Sequence, residues 1–361
     1  MTRIRALLIT VFMLFAAALS AGAQAALPGP LHVEGKWVKN AQGNPVTLRG
    51  VAIAELDAIH KGGRSQMVPT TVFTIMDKAM EEGWYVDVFR LTVQPEVGDE
   101  TGIHGWLHYD PEEYFTKILD PAVQYALSRG KYVIIDWHYV GAQWDDKKVA
   151  QNTQSFWLGS GAWKGIASKY AGNPGVIFEL FNEPGPGDWA HWKPYAEAWI
   201  NAIRAKGADN LIIVGGPNWS QIMPRKPEEL IPGPNIVYAC HIYPLHTQYG
   251  MPGWIEYVSS AAPVIMTEWG FEKEAPVPVN GTASGYGKKF KSYIDSKPNV
   301  GWIAWCFDSV YRPVMFDMTW TLLGNGKSTP QTRFSGGPLD TADNYMGQFV
   351  KTWLAEHATM K

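Results

Sequence analysis

The chain contains the stretch Val176-Ile177-Phe178-Glu179-Leu180-Phe181-Asn182-Glu183-Pro184, an apolar run that ends in a carboxylate. A second stretch has the same design, Pro263-Val264-Ile265-Met266-Thr267-Glu268-Trp269-Gly270. β-Branched and aromatic runs of this length predict buried strands, and Pro184 and Gly270 end them. Because active sites of parallel sheets lie at the carboxyl ends of the strands, Glu183 and Glu268 are candidates for paired-carboxylate chemistry.

Strand-like and helix-like patterns alternate from residue 46 onward. We predict eight strands, at 46–53, 85–93, 131–139, 176–183, 211–217, 236–243, 263–269 and 301–307. We predict helices near 70–82, 112–129, 155–170, 188–206, 221–230, 253–261, 284–296 and 342–357. Eight strands that are each followed by a helix favour an α/β fold of the (β/α)8 TIM-barrel type. The alternative is an open doubly wound sheet, which more often carries a Gly-rich phosphate loop after its first strand; Gly50-Val51-Ala52-Ile53 is not such a loop.

The first 25 residues have the pattern of a signal peptide. Arg3 and Arg5 precede an apolar segment from Ala6 to Leu19, and Ala23-Gln24-Ala25 fits a cleavage site. We therefore expect residues 1–25 to be removed and the product to be secreted or periplasmic, with an uncleaved membrane anchor as the alternative. Residues 26–361 are then expected to form a single barrel domain. A small hairpin over 26–45, with Gly43-Asn44 in a turn, would precede the barrel.

Composition excludes several classes of partner and cofactor. The chain has a formal net charge of −3 and no basic run, which argues against a nucleic-acid partner. Two cysteines form neither a disulfide framework nor a metal motif. We expect no metal, no cofactor, no membrane contact after signal cleavage, and a monomer.

Polar side chains gather at the predicted strand ends, whereas the strand starts are apolar. In chain order these residues are Arg90, His138, Asn182 and Glu183, His241 and Tyr243, Glu268, and Trp305. Strict alternation puts neighbours on opposite faces, so Asn182 and Glu183 both point inward only if a bulge or twist occurs there. Each residue alone has an ordinary structural explanation. Their position at one end of successive strands predicts a shared site.

These residue types suit the cleavage of a glycosidic bond. One carboxylic acid protonates the leaving oxygen, and a second carboxylate acts as nucleophile or base. The acid needs a raised pKa, and a neighbouring arginine favours the ionised form of the other. Amide, imidazole and phenol groups hydrogen-bond sugar hydroxyls, and Trp offers an apolar face to a pyranose ring.

On these motifs the chain resembles glycoside hydrolase family 5, within the clan of retaining (β/α)8 glycosidases. The resemblance covers nearly all of the expected mature chain. It rests on Asn182-Glu183-Pro184 together with Phe89-Arg90, Trp137-His138, His241-x-Tyr243, Thr267-Glu268-Trp269-Gly270 and Trp305.

The resemblance implies a role for each of these residues. Glu183 would be the acid/base and Glu268 the nucleophile. Arg90 and Tyr243 would orient the nucleophile and keep it charged. Asn182 would bind the hydroxyl beside the reacting carbon. The resemblance places His138 and His241 beside the acid/base, and Trp305 under the sugar that is cleaved.

The loops around the groove are expected to determine which polysaccharide binds, and their sequences do not identify it. The final loop, 309–340, is long and should border the groove; it carries Arg312-Pro313, Trp320, Asn325 and Arg333. For the other ring-bearing loop residues, stacking on a sugar and anchoring the loop to the barrel are equally expected roles; these are Trp106, His108, Tyr139, Trp144, Trp189 and Trp219.

The favoured function is a secreted retaining endo-β-1,4-glucanase (a cellulase) acting on a polysaccharide or oligosaccharide. The alternatives are a β-mannanase, a hydrolase of xyloglucan or mixed-linkage glucan, and a non-catalytic carbohydrate-binding barrel. The sequence does not separate endo from exo action.

Overall fold

A computed structural model describes residues 26–62, 71–81, 83–96, 105–249, 254–324 and 343–358. The predicted signal peptide and its cleavage site lie outside the described residues. Within them, no helix combines the length and apolarity that a bilayer crossing requires.

The predicted hairpin is present, and it contains two turns. Strands β1 (Leu31–Glu34) and β2 (Trp37–Asn40) pair in antiparallel fashion around Gly35, whose φ is 57°. Gly43-Asn44 lies in a second turn, as predicted; this turn follows β2 and leads into an antiparallel bridge between Lys39 and Pro45. Leu31 and Val38 pack into the same apolar cluster as the lower barrel interior, so the hairpin covers the amino-terminal end of the barrel.

Eight parallel strands close into a barrel, which confirms the predicted fold class. They are β3 (Arg49–Ile53), β4 (Val88–Val93), β5 (Tyr132–Trp137), β7 (Val176–Glu179), β9 (Ile212–Val214), β10 (Ile236–Ile242), β11 (Val264–Trp269) and β12 (Val300–Ala304). Pairing of β12 with β3 completes the closure. Two further strands, β6 (Val140–Ala142) and β8 (Glu183–Pro184), pair with each other outside the barrel.

Alternation along each strand separates two apolar layers. On β4, Phe89 and Leu91 belong to the outer cluster under the helices, whereas Val88 belongs to the inner cluster. Arg90 shares the inward register of Val88 and lies higher in the barrel. The period of two that makes these segments strands therefore also directs their polar residues into the barrel.

Eleven helices lie within the described residues. They are α1 (Leu56–His60), α2 (Val72–Ala79), α3 (Pro111–Tyr114), α4 (Asp120–Leu127), α5 (Lys147–Leu158), α6 (Ile166–Tyr170), α7 (Trp189–Ala205), α8 (Pro217–Ser220), α9 (Glu256–Ala261), α10 (Lys288–Asp295) and α11 (Gly347–Ala358). A π-helical turn at Phe115–Leu119 makes α3 and α4 continuous. Asp110 begins that helix by accepting hydrogen bonds from two backbone N–H groups, with Pro111 in the first turn.

Two predicted helices are wrong in part or in full. The segment 155–170 is two helices, because the chain turns between Gly159 and Gly165, both at positive φ. The segment 221–230 forms only a 3-10 turn at Pro227–Glu229. Pro224 and Pro227 supply no backbone N–H, and this prevents a continuous α-helix there.

Candidate active site

Arg90 is the centre of a buried polar network at the carboxyl end of the barrel. Its side chain is fully buried and donates from Nε to Glu179 at 2.6 Å, from Nη1 to Glu268 at 2.9 Å and from Nη2 to Asn182 at 2.6 Å. Nη2 also lies 3.0 Å from Asp136 Oδ2. Burial of a guanidinium is tolerable only with such complete pairing.

The Glu268 carboxylate is held at both oxygens. Oε1 accepts from Arg90, and Oε2 accepts from the Tyr243 hydroxyl at 2.8 Å. Both contacts are donors, which stabilise negative charge on the carboxylate and fix its rotamer. The arrangement suits a group that must approach a reacting atom in ionised form.

The Glu183 carboxyl has a different environment. It is 8% exposed, and its Oε1 lies 2.8 Å from Nδ1 of His241. Burial raises the pKa of Glu183 to about 8 against the opposing charge of Arg90, and Asp136 and Glu179 make smaller upward contributions. Burial also lowers the pKa of the His241 imidazole to about 4. A neutral imidazole that donates from Nδ1 to Glu183 Oε1 and accepts at Nε2 from the Thr267 hydroxyl, 2.9 Å away, fits both shifts and leaves the Glu183 proton on Oε2.

Irregular strand geometry brings the two carboxylates together. The predicted departure between Asn182 and Glu183 is a strand break instead of a bulge, because β7 ends at Glu179 and Glu183 joins the separate strand β8. A register shift between β10 and β11 matches Ala239 with Ile265 but His241 with Glu268. β11 therefore carries one extra residue there, and Thr267 and Glu268 both reach the site.

His138 and Trp305 lie side by side at the floor of the site. Their rings stack with centroids 5.2 Å apart and an interplanar angle of 10°. Nδ1 of His138 lies 2.5 Å from Asp136 Oδ2, which orients the imidazole. Burial lowers the pKa of His138 to about 4, so it is neutral near pH 7. Trp305 thus presents a supported, apolar ring face to the space above it.

A groove of about 1190 Å³ runs across this end of the barrel. Of the eight predicted site residues, Asn182, Glu183, Glu268, His138, Tyr243 and Trp305 line it, while Arg90 and His241 lie directly behind. The other lining residues are Glu55, Gln94, Pro95, Glu96, Tyr139, Val140, Asn218, Trp219, Gln221, His246, Pro276, Val277, Pro278, Val279, Tyr311 and Arg312.

The structure shows which of the loop aromatic residues line the groove and which are packing residues. Only Tyr139 and Trp219 line the groove, and Trp219 is 39% exposed. Three others are buried packing residues, namely Trp106, Trp144 and Trp189. From the final loop, Arg312 borders the groove as expected, Trp320 packs on Phe316, and Asn325 and Arg333 lie outside the described residues.

Four groups near the site were not among the eight predicted site residues. Asp136 and Glu179 are charged residues at inward positions of apolar strands, a signal that the alternation already carried. Glu55 and Tyr311 come from different loops, and the Tyr311 hydroxyl contacts the Glu55 carboxylate. That contact joins residues 256 apart in the chain, and no local pattern indicates it.

A metal ion has one candidate location among the described residues. Ligand atoms of Glu183, His241 and Glu268 lie within 4.8 Å of one another. The hydrogen bonds described above already engage these atoms with each other and with Arg90, Tyr243 and Thr267.

The chain is similar in sequence to curated endoglucanases. The chain is 27% identical over 337 residues to Endoglucanase E-5 of Thermobifida fusca, covering 90% of this chain and 64% of that protein. It is 30% identical over 291 residues to Endoglucanase N of Pectobacterium atrosepticum, covering 77% of this chain and 57% of that protein. The chain thus spans about three-fifths of the length of these curated relatives.

Solved structures give the same barrel. The catalytic domain of a Thermobifida fusca endoglucanase is 25% identical and superposes with a TM-score of 0.63, covering 90% of this chain and 97% of that one. A β-glucanase from Saccharophagus degradans, 24% identical, superposes with a TM-score of 0.70 and covers 91% and 94%. The sequence model described as cellulase (glycosyl hydrolase family 5) matches residues 40–310, which include every residue of the network around Arg90. By sequence and by fold, the chain belongs to glycosyl hydrolase family 5.

Proposed function

We propose that the protein is a retaining endo-β-1,4-glucanase that cleaves β-glucan chains by double displacement. The observation that carries this proposal is the placement of Glu183 and Glu268, which each offer a carboxyl oxygen within 4.8 Å of the other. Retaining glycosidases hold their two carboxyl groups about 5–5.5 Å apart, and inverting ones about 6.5–9.5 Å. The short separation leaves no room for a water between base and sugar.

Glu268 acts as the nucleophile in this mechanism. Arg90 and Tyr243 hold its two oxygens, so the carboxylate is charged and aimed before the sugar arrives. Attack on the anomeric carbon forms a covalent glycosyl-enzyme and expels the leaving oxygen. Trp305 supports the sugar ring during this step, and Asn182 binds the hydroxyl next to the reacting carbon.

Glu183 acts first as acid and then as base. With a pKa of about 8 it is protonated near neutral pH and donates its proton to the leaving oxygen. The carboxylate that results then takes a proton from the water that attacks the glycosyl-enzyme. His241, which stays neutral, keeps the carboxyl group oriented through both steps.

The substrate class comes from relatives. The curated relatives are named endoglucanases, and a variant of the Thermobifida fusca catalytic domain, 25% identical to this chain, was crystallised in complex with cellotetraose. We infer a β-1,4-glucan and release from the cell through the pattern at residues 1–25.

The test is a panel of purified polysaccharides. We expect new reducing ends from a soluble β-1,4-glucan, with an early fall in viscosity because endo cleavage shortens chains internally. Stronger activity on mannan or xyloglucan would replace the substrate assignment. Binding without hydrolysis of any member of the panel would contradict an enzymatic role.

A further inference from the structure

Two buried carboxylates beneath the site have no role in the double displacement. Asp136 on β5 and Glu179 on β7 are register partners on neighbouring strands. Both side chains occupy inward positions and are fully buried. Neighbouring strands lie about 4.8 Å apart, so facing side chains at one register level lie within reach of each other.

Each carboxylate gives only one oxygen to the network. Glu179 Oε2 accepts from Nε of Arg90 at 2.6 Å, and Asp136 Oδ2 lies 3.0 Å from Nη2 and 2.5 Å from His138 Nδ1. The second oxygens, Asp136 Oδ1 and Glu179 Oε1, are buried without a hydrogen-bond partner among the described residues. A buried carboxylate oxygen without a donor is costly.

The charges around Arg90 do not balance if every carboxylate is ionised. One guanidinium contacts Asp136, Glu179 and Glu268, all buried. Neither nearby imidazole adds positive charge, because burial lowers the pKa of both His138 and His241 to about 4. A proton on one of the two lower carboxyl groups removes one negative charge and supplies the missing donor.

We propose that Asp136 and Glu179 share a single proton in a hydrogen bond between Oδ1 and Oε1, and so form a positioning pair that fixes Arg90 against Glu268. The proposal rests on the proposed function of Glu268. With one shared proton, the pair carries a single negative charge, which balances the positive charge of Arg90. Nη1 then remains directed at the nucleophile.

Loss of the shared proton would change the site. A second negative charge on the pair would draw Arg90 toward Asp136 and Glu179 and weaken its contact with Glu268. The other titratable or charged groups that face the pair are Arg90 on β4, His138 after β5, Glu183 on β8, His241 on β10 and Glu268 on β11. Burial raises the pKa of Asp136 to about 7 and also raises that of Glu179, so this loss occurs from about pH 7 upward.

The test measures attack by Glu268 without help from Glu183. A 2-deoxy-2-fluoro cellobioside with a dinitrophenolate leaving group labels the nucleophile and needs no acid, so the labelling rate reports Glu268 and its supports. The single variants are Glu179→Gln, Glu179→Ala and Asp136→Asn. The double amide combines Asp136→Asn with Glu179→Gln. The matched control is Glu112→Gln, a surface carboxylate paired with Lys169.

A glutamine amide at position 179 can donate to Asp136 as the shared proton does, whereas alanine cannot. We expect Glu179→Gln to label about tenfold faster than Glu179→Ala. The alkaline fall in labelling rate should move to higher pH in Glu179→Gln. The double amide, which leaves Arg90 without a counter-charge in the pair, should label more slowly than the product of the single effects predicts. The control should match wild type throughout.

Equal rates for the Gln and Ala variants, or strictly multiplicative single effects, would show that the two carboxylates ionise independently and would overturn the proposal. Failure of wild type to become labelled would instead contradict the role of Glu268. The pair is also tested without catalysis, by infrared spectroscopy of the Glu183→Gln variant. A protonated-carboxyl band near neutral pH that is lost when Glu179→Gln is combined with Glu183→Gln supports the shared proton. Absence of the band from the Glu183→Gln variant itself overturns the proposal.

Discussion

At the scale of single residues, the proposed mechanism gives two chemically identical side chains opposite tasks. Glu268 meets an arginine and a phenol, whereas Glu183 meets a neutral imidazole and apolar surroundings. Environment alone therefore separates a nucleophile from an acid. Substitutions that change one environment at a time should separate the two steps.

Replacement of Glu183 by alanine should stop hydrolysis of natural glucans and spare attack on activated substrates. An aryl glycoside with a good leaving group still forms the glycosyl-enzyme, and added azide then attacks it in place of water. We expect azide to accelerate turnover and a β-glycosyl azide to appear by proton NMR. If azide leaves the rate unchanged, Glu183 is not the base of the second step.

Replacement of Arg90 by lysine should reduce kcat by about 100-fold or more, because lysine cannot hold Glu179, Asn182 and Glu268 with one planar group. The fold should persist, as circular dichroism would show. A rate near that of wild type would reduce Arg90 to a structural ion pair.

At the scale of elements, sequence and structure agree where one period governs a segment. Apolar, β-branched runs predicted all eight barrel strands, and the polar residues at their ends, Arg90 among them, predicted where the site lies. Disagreement occurs where the backbone leaves that period. The extra residue of β11 lies inside Met266-Thr267-Glu268, a sequence that reads as ordinary alternation, so its position depends on pairing with β10.

The location of the site side chains could also be predicted from the strand pattern. The eight residues expected at strand ends lie at or directly behind the groove, because strand ends of a barrel converge. Contacts between distant loops, such as Glu55 with Tyr311, depend on loop conformations that neither period determines.

The α8 turn is an element that presents one aromatic residue to the groove. Asn218, Trp219 and Ser220 have φ of 54°, 55° and 57°, a left-handed conformation that costs about 1–2 kcal/mol per non-glycine residue. Hydrogen bonds from Ser220 Oγ to the Asn182 carbonyl and from the Gly187 N–H to Asn218 help to hold the turn. Trp219 is thereby fixed on the side of Glu183, which the proposed mechanism makes the side of the leaving group.

Trp219→Ala should therefore raise KM for long glucan chains by about tenfold, since loss of an aromatic face removes about 1–2 kcal/mol of contact. It should barely affect an aryl glycoside that has no sugar on the leaving side. Steady-state kinetics on both substrates would measure the difference, with Val277→Ala as a rim control. Equal losses on both substrates would place Trp219 outside the leaving side.

At the scale of the whole molecule, the site lowers stability at high pH. The folded-state pKa of Glu183 is raised above its ordinary value, so the folded state binds this proton more tightly than the unfolded chain does. The resulting stabilisation is complete below the ordinary pKa of about 4.5 and is lost as pH rises through about 8.

Glu183→Gln should therefore raise the melting temperature more at pH 9 than at pH 4. Glutamine keeps the shape of the side chain and removes the charge that burial opposes. Calorimetry at both pH values would measure the two differences. A gain of the same size at both would mean that Glu183 does not titrate on unfolding.

The small parallel pair β6–β8 has a consequence for enzyme engineering. The Glu183 backbone N–H donates to the Tyr139 carbonyl at 3.0 Å, and the Asn182 side chain donates to the same carbonyl at 3.1 Å. The loop after β5, whose Tyr139 and Val140 border the groove, thus also positions Glu183, the proposed acid. Loop grafts made there to change the accepted polysaccharide would also shift the pH optimum. In a library of chimeras, substrate preference and pH optimum should therefore change together.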